Sequence, residues 1–358
     1  MPYLRQQQGN PSSSHRFGRF GKSAMETARQ QVADLVNVDP RQVIFTSGGT
    51  ESNNQVFSGL RERFRDGEIL VNPTEHPAVL EPAYRLQTHG FTVLKLPVND
   101  QGVVAVEAAQ AMMNDRTRLV SVMLANNETG SLQPVETLAA LCNQWQIPMH
   151  TDAVQAVGKI PVDFRQLGVK LMSLSAHKMG GPKGVGALIV NRSLVWPALI
   201  LGGGQQDDHR SGTENVAAIV GFGAAAEHAR QTLEQSARHC RQLRDALEAS
   251  LKALPGATIF AEQAERLPNT VFFALQGYDS DSLLMALDRQ GFSVSSGSAC
   301  GTGRQTPSHV LKAMGVDDLT ALGAVRVSVS ADNTLDEIER LADALAREVN
   351  RFSHIMNR

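Results

Sequence analysis

A lysine and an aspartate follow two consecutive strand-like segments of the chain. Lys178 comes after the mainly apolar run at residues 169–174, and Asp152 comes after residues 147–150. A strand end can hold an ammonium inside a cleft, where burial would lower its pKa and make it a usable amine nucleophile. A lone lysine at a turn is usually solvent-exposed. A carboxylate at the neighbouring strand end favours chemistry instead, because a pyridoxal phosphate site requires an amine for a Schiff base and an acid for the ring nitrogen.

A glycine-bearing corner supplies the phosphate site that such a cofactor needs. The sequence SGGTE at residues 47–51 lies between a strand-like run and a helical pattern. Glycines such as Gly49 let backbone amides converge at a helix N-terminus, and Thr50 adds a hydroxyl. Ser175 and His177, beside Lys178, offer two further donors. The residues alone leave open the plainer interpretation of an ordinary glycine turn.

Three more polar side chains stand in corners of the same kind. His76, in TEHPAV, could lie flat against a cofactor ring or hold a proton, whereas a lone histidine before a proline is more often a turn residue. Asn127 and Gln155 stand at the same relative height on their strands, where their amides could hydrogen-bond an oxygen of the ring. Either amide alone is also consistent with an ordinary loop residue.

A cysteine lies in the middle of a run of small residues. Cys300 is central in SSGSACGTG, residues 295–303, whereas a core cysteine would have packed apolar neighbours. Such surroundings predict backbone mobility and an exposed sulfur. Cys142 and Cys240 fall instead on helical patterns, where we expect inert, buried thiols.

The composition excludes several classes of function. With 34 basic and 36 acidic residues among 358, the net charge of −2 gives no field that would favour nucleic acid or an anionic membrane. Three widely spaced cysteines argue against a disulfide framework and a thiolate metal cluster, and favour a reducing compartment. The N-terminus lacks an apolar signal core, and no apolar run reaches the roughly 18 residues of a membrane span. We therefore expect a soluble cytoplasmic protein without a metal site.

Alternating strand-like runs, polar corners and helical stretches predict an α/β fold. Polar corners then meet at the carboxyl ends of the strands of one sheet. We expect a large cofactor-binding domain with a mostly parallel sheet over residues 1–230, and a smaller α+β domain over residues 231–358 that carries the cysteine loop. A long amphipathic helix is predicted over residues 224–254, and the last helix opens with a capping box made by Thr334 and Glu337.

Eight segments in order and spacing resemble one family. They are TSGGTESN, TEHPAVL, ANNETG, HTDAVQAVGKIPVD, SAHKMGGPKGVG, RSGTEN, LPNT and SSGSAC. Together they look like the class V aminotransferases, with the fold of type I pyridoxal phosphate enzymes, and specifically the cysteine desulfurases of iron–sulfur cluster assembly and nitrogen fixation. The resemblance runs from about Gly9 to the end of the chain.

The resemblance implies a role for each candidate residue. In the cofactor site, Lys178 holds pyridoxal phosphate, Asp152 pairs with the pyridine nitrogen and His76 stacks on the ring. Asn127 and Gln155 are implied to contact the ring oxygen region, and the phosphate is implied to contact Gly49, Thr50, Ser175 and His177. Thr213 would contact the phosphate bound by a partner subunit. The substrate would contact Arg326 and Asn127. A homodimer is therefore implied.

The resemblance also implies the reaction. The substrate is L-cysteine, and the Cys300 thiolate attacks its sulfur, leaving a persulfide on the enzyme and releasing L-alanine. The persulfide then passes to a sulfur-acceptor protein. A related activity with the same cofactor, such as a selenocysteine lyase or an aminotransferase, stays open as an alternative, although Cys300 argues against an activity that needs no thiol.

The sequence departs from the family pattern in three places. Relatives usually begin with a strand resembling YLDNNATT, and this sequence starts beyond it, so a catalytically impaired dimer partner or scaffold is a further alternative. Asp207 and Asp208 reverse the charge usual in the loop before RSGT. The segment GTGRQTPSH differs from the common TSxSLEPSH, which leads us to expect a different choice of sulfur acceptor.

Overall fold

The computed structural model describes residues 2–5, 9–297 and 306–356 of the chain. These residues form two compact units. The first unit comprises Met1–Pro97, Ala105–Leu124 and Gln133–Leu233, and the second comprises Val98–Val104, Ala125–Leu132 and Glu234–Arg358. The second unit therefore includes two short segments, Val98–Val104 and Ala125–Leu132, that come before its main part in the sequence.

The first unit is built on a seven-stranded sheet. Its strands are β1 (Val43–Thr46), β2 (Gly67–Val71), β3 (Phe91–Lys95), β4 (Thr117–Ser121), β5 (Met149–Asp152), β6 (Leu171–Ser175) and β7 (Gly186–Val190). Their order across the sheet is β1-β7-β6-β5-β4-β2-β3. The pairs from β3 to β6 are parallel, while β7 runs antiparallel to both β6 and β1. The sheet is thus mostly parallel, which confirms the predicted α/β class.

Buried strands and amphipathic helices explain this arrangement. Every residue of β1, β5, β6 and β7 is buried, as expected for strands covered on both faces. The helices of this unit are α1 (Pro2–Arg5), α2 (Arg16–Leu35), α3 (Gly49–Arg63), α4 (Pro77–Arg85), α5 (Val106–Met112), α6 (Val135–Gln144) and α7 (Phe164–Leu167). Phe57 and Leu60 of α3 pack with Ile69, Leu119 and Trp196 in one core cluster.

The second unit has an antiparallel sheet of its own. Its strands are β8 (Ala257–Ile259), β9 (Thr270–Leu275), β10 (Ser295–Ser296) and β11 (Ala324–Ser328), in the order β10-β11-β9-β8. The helices α9 (Ser280–Asp288), α10 (His309–Ala313), α11 (Asp318–Leu322) and α12 (Leu335–Met356) follow β9 along the chain, and α8 (Val216–Lys252) runs into this unit from the first. Leu243, Leu247 and Leu251 of α8 pack with Phe273 and Leu345 in its core.

The predicted elements occur with shifted ends. The strand predicted over residues 118–124 is β4, although the amides of Val122 and Leu124 still donate to carbonyls of β5. The strand predicted over residues 291–296 is reduced to β10, because the Phe292 amide donates to the Leu287 carbonyl at the end of α9 and so does not pair with a strand. The long helix predicted over residues 224–254 is α8, which begins eight residues earlier.

Two smaller predictions are confirmed. Thr334 N donates to Glu337 Oε2 at 2.9 Å and Glu337 N donates to Thr334 Oγ1 at 3.3 Å, which is the capping box at the start of α12. Cys142 and Cys240 are both buried. Among the residues that the structure describes, every helix is too short or too polar to cross a membrane.

Candidate active site

Four corners of the first unit carry most of the predicted site residues. Asp152 is the last residue of β5 and Ser175 the last of β6, and these two strands are parallel neighbours. Gly49 and Thr50 begin α3 after β1, and His76 precedes α4 after β2. Because parallel strands end at one edge of a sheet, these corners face the same region.

The SGGT corner is tightly packed at the start of α3. Gly48 has a φ of 152°, in the range that favours glycine, and a Cβ on Gly49 would lie 2.8 Å from Val154 Cγ2. A Cβ on Gly48 would lie 3.8 Å from Ser175 Oγ. The N-terminus of this 15-residue helix is thus held against the ends of β5 and β6, where its amides and dipole favour an anion.

Polar and basic side chains lie around His177, two residues after the end of β6. Ser175 Oγ and His177 Nδ1 are 2.9 Å apart. Burial lowers the pKa of His177, and Lys178, Lys183 and Lys159 lower it further. This group of hydroxyl, imidazole and ammonium groups is a suitable donor set for a phosphate.

Asp152 is a buried, hydrogen-bonded carboxylate. It accepts from Asn53 Nδ2 at 2.7 Å and from Val154 N at 3.0 Å. Burial raises its pKa, while these hydrogen bonds and the charges of His76 and Lys178 act in the opposite direction. The electrostatic influence of both side chains shows that the structure brings Lys178 and His76 close to Asp152.

Asn53 and Glu75 were missed in the sequence. Asn53 lies one helical turn after Gly49, a spacing that could have identified it. Glu75 is completely buried beside His76 and accepts a hydrogen bond from Met123 N. Burial raises the pKa of Glu75 well above its ordinary value, and the charge of Asp152 raises it further. No pattern marks this burial, because glutamate is rarely found inside a protein.

His76 and Gln155 are oriented by their neighbours. His76 is the N-cap of α4, and its Nδ1 accepts from Ala78 N at 3.0 Å. This hydrogen bond fixes the orientation of the imidazole ring at the start of α4. Gln155 Oε1 accepts from Lys159 Nζ at 2.9 Å, so its amide N–H groups are the donors it can offer to a ligand oxygen.

Asn127 and Arg326 lie together in the second unit. Arg326 Nη1 donates to the Asn127 carbonyl at 2.6 Å. Within the part of the chain that the structure describes, Arg326 Nε and Asn127 Oδ1 are buried without a hydrogen-bond partner. Burial lowers the pKa of Arg326 and nearby Glu128 raises it. A half-buried guanidinium with an unused N–H is suited to bind a carboxylate.

Two predicted residues remain to be placed. Thr213 is exposed and follows Gly212, whose φ of 103° favours glycine. Cys300 lies outside the described residues. Before it, Ser295 of β10 pairs with Arg326 of β11, and Gly297 N donates to the Ala324 carbonyl at 3.0 Å. The chain thus enters the cysteine segment from the strand next to Arg326.

The fold and the polar corners define an α/β enzyme with its ligand groups at the carboxyl ends of its strands. A family model described as Aminotransferase class-V matches residues 1–341. This chain belongs to the class-V aminotransferase family.

Individual relatives agree with this assignment. The protein named cysteine desulfurase IscS of Dictyoglomus turgidum is 38% identical over 357 residues, which is 99% of this chain and 91% of the relative. Cysteine desulfurase NifS of Azotobacter vinelandii is 41% identical over 344 residues, 95% of this chain and 86% of the relative. A solved structure titled NifS-like protein superposes with a TM-score of 0.91 at 37% identity, covering 98% of this chain and 93% of that one.

Proposed function

We propose that this protein is a pyridoxal phosphate-dependent cysteine desulfurase, which converts L-cysteine to L-alanine and holds the sulfur as a persulfide on Cys300. The observation that carries the proposal is the buried, hydrogen-bonded carboxylate of Asp152 next to Lys178, at the strand ends beside the SGGT corner. The names of the curated relatives and the Cys300 segment support the choice of cysteine as substrate.

The residues present fit the cofactor. Lys178 would hold it through its amine, and Asp152 would pair with the ring nitrogen. The remaining proposed contacts are those of His76 with the ring face, Gln155 and Asn127 with the ring oxygen, and Gly49, Thr50, Ser175 and His177 with the phosphate. Pyridoxal phosphate, when bound, supplies an electron sink for charge that develops on the substrate.

The protein's own groups then have distinct tasks. Arg326 would bind the substrate carboxylate, with its buried Nε–H as one donor, and Lys178 Nζ would move a proton to and from the substrate carbon. The Cys300 thiolate would attack the substrate sulfur, forming an S–S bond as the C–S bond breaks. The electron pair left on carbon takes up a proton, which gives alanine.

Three further parts of the proposal concern the protein's surroundings. We place it in a homodimer in which Thr213 reaches the partner's phosphate site, consistent with the exposure of Thr213. A sulfur-acceptor protein, as in iron–sulfur cluster assembly, would receive the persulfide. A reducing compartment such as the cytoplasm suits a chain in which two of the three cysteines are buried thiols.

The test is an assay of both products with matched cysteine variants. The purified protein should absorb in the visible range with pyridoxal phosphate and release equal amounts of sulfide and alanine from cysteine under reducing conditions. Cys300→Ala should lose this activity, whereas Cys240→Ala should keep it. Cofactor binding without either product would favour the scaffold alternative, and full activity of Cys300→Ala would show that no persulfide forms there.

A further inference from the structure

The loop before Thr213 has an unusual backbone. Gln206, Asp207 and Asp208 have φ values of 52°, 54° and 65°, so three consecutive residues with a Cβ adopt the left-handed conformation. This conformation is unfavourable for such residues and persists only where the surroundings impose it. The contacts that impose it therefore indicate what the loop is built to hold in place.

One set of contacts fixes the loop to β1. Gln206 is buried, and its Oε1 accepts from Phe45 N at 3.2 Å and from Arg29 Nη1 at 3.1 Å. Its Nε2 donates to Glu214 Oε1 at 3.1 Å. The Gln206 amide oxygen therefore holds the loop against the strand that leads into the SGGT corner, and the amide nitrogen ties the loop to Glu214.

A second set of contacts joins the loop to the first two turns of α3. Arg210 Nε and Nη2 donate to the two carboxylate oxygens of Glu51, at 2.9 and 3.3 Å. Glu51 Oε2 also accepts from the amide of Ser47 at 2.9 Å. Gln55 Nε2 donates to the His209 carbonyl at 3.1 Å. The left-handed turn thus places Arg210 against the Glu51 carboxylate, which also accepts a hydrogen bond from the SGGT corner.

The Glu51–Arg210 pair is well shielded from solvent. The Glu51 side chain is 10% exposed and that of Arg210 is 23% exposed, whereas Asp207 and Asp208 are exposed. Burial raises the pKa of Glu51, but the hydrogen bonds from Arg210 and Ser47 outweigh it, and the net shift is downward. Glu51 is therefore a carboxylate in the first turn of α3, where the proposed phosphate would bind.

This placement creates a conflict of charge that Arg210 removes. A carboxylate next to a phosphate site repels the phosphate, and the repulsion grows as water is excluded. The Glu51 side chain nevertheless holds the Ser47 amide and so shapes the corner. A bidentate guanidinium keeps that hydrogen bond in place and neutralises the charge at the same time.

We infer that Glu51 and Arg210 are positioning residues of the phosphate site: Glu51 orders the SGGT corner, and Arg210, held by the left-handed loop, cancels the charge of Glu51 so that a phosphate ester can bind. The inference rests on the proposed pyridoxal phosphate-dependent function. It assigns a task to the left-handed loop, in which Asp207 and Asp208 are exposed.

The inference makes an asymmetric prediction for three variants. Arg210→Met leaves Glu51 uncompensated and should raise the Kd for pyridoxal phosphate on the order of 10- to 100-fold. Glu51→Gln keeps an oxygen for the Ser47 amide and should raise it by no more than about threefold. The double variant should bind more tightly than Arg210→Met alone, because removing the carboxylate removes the repulsion.

The measurement is an absorbance titration of the apoprotein with pyridoxal phosphate, repeated with inorganic phosphate as competitor. Arg230→Met is the matched control, since Arg230 pairs with Glu227 at 3.1 Å on an exposed face of α8. Its affinity should equal that of the wild type. Thermal unfolding of each apoprotein separates a loss of affinity from a loss of fold.

Each outcome has a defined meaning. Two results would overturn the inference and leave the proposed function intact. In the first, both single variants and the double variant weaken pyridoxal phosphate binding equally. In the second, Arg210→Met does not weaken it. If the wild type itself binds no pyridoxal phosphate, the proposed function fails and the inference with it. If Arg210→Met does not fold, Arg210→Lys replaces it. Arg210→Lys keeps the charge but not the bidentate geometry, so the Kd for pyridoxal phosphate should rise by less than about tenfold, and a larger rise would contradict charge compensation.

Discussion

Lowering the pH should destabilise this protein through a histidine that the reaction does not use. His150 of β5 is completely buried, with Nδ1 2.9 Å from Ser121 Oγ and Nε2 3.0 Å from Ser173 Oγ. Burial lowers the pKa of His150 to about 3. The folded protein therefore keeps this ring neutral under mildly acidic conditions.

The size of the effect follows from the difference between the folded and unfolded states. An unfolded histidine takes up a proton near pH 6.5, and the folded one does so only near pH 3, so protons favour unfolding throughout this interval. At about 1.36 kcal/mol per pH unit, acidification from pH 7.5 to 5 should remove about 2 kcal/mol of unfolding free energy.

Urea unfolding of the wild type and His150→Gln at pH 7.5 and pH 5 would measure this term. At pH 7.5 the variant should be less stable by about 1 to 3 kcal/mol, because the two serine hydroxyls lose their partner. At pH 5 the difference should shrink by about 2 kcal/mol, since only the wild type carries the histidine term. Glu75 and Asp152 have raised pKa values in both proteins, so their contribution cancels in the comparison. A difference that stays constant with pH would refute the assignment of a neutral, buried His150.

Other perturbations have equally direct readouts. Gly49→Ala would place a Cβ 2.8 Å from Val154 Cγ2 and should raise the Kd for pyridoxal phosphate at least about tenfold in an absorbance titration, with the far-UV circular dichroism unchanged. Cys142, whose pKa burial raises to about 12, should stay unmodified by iodoacetamide at pH 8 in the native protein, as read by peptide mass spectrometry. Glu248→Ala removes one partner of a buried ion pair with Arg266, 2.8 Å apart, and should cost about 3 to 5 kcal/mol in urea unfolding; a loss below about 1 kcal/mol would show that the pair is hydrated.

Local patterns were sufficient to predict five of the seven strands of the first unit and the polar corners that follow them, whereas β3 and β7 were not predicted. Asp152 and Lys178 could be paired from sequence because each follows an apolar run, and parallel strands bring such positions together. The long-range relations were not accessible in this way. The segment Ala125–Leu132 belongs to the second unit, where Leu132 N donates to the Glu265 carbonyl at 2.8 Å, and no local pattern encodes that contact.

The same limit applies to the charges around the site. Glu51 and Arg210 lie in two recognisable motifs, but only the folded loop shows that they form an ion pair. The buried Glu75 carboxyl accepts a hydrogen bond from the Met123 amide, far along the chain, and no local pattern indicates that contact. The predicted roles of the individual site residues, that of Cys300 among them, stay predictions that the variants above will test.

The antiparallel pairing of β1 with β7 has a consequence for how the protein is made. Val43 of β1 pairs with Ile189 of β7. During synthesis β1 therefore leaves the ribosome about 150 residues before the strand with which it pairs. At 5 to 20 residues per second this delay is roughly 7 to 30 s. During that time Ile44 and Phe45, buried in the finished sheet, are exposed on a strand without its neighbour, which is the kind of segment that aggregates. Synthesis rate and chaperone supply should therefore affect the yield of folded protein.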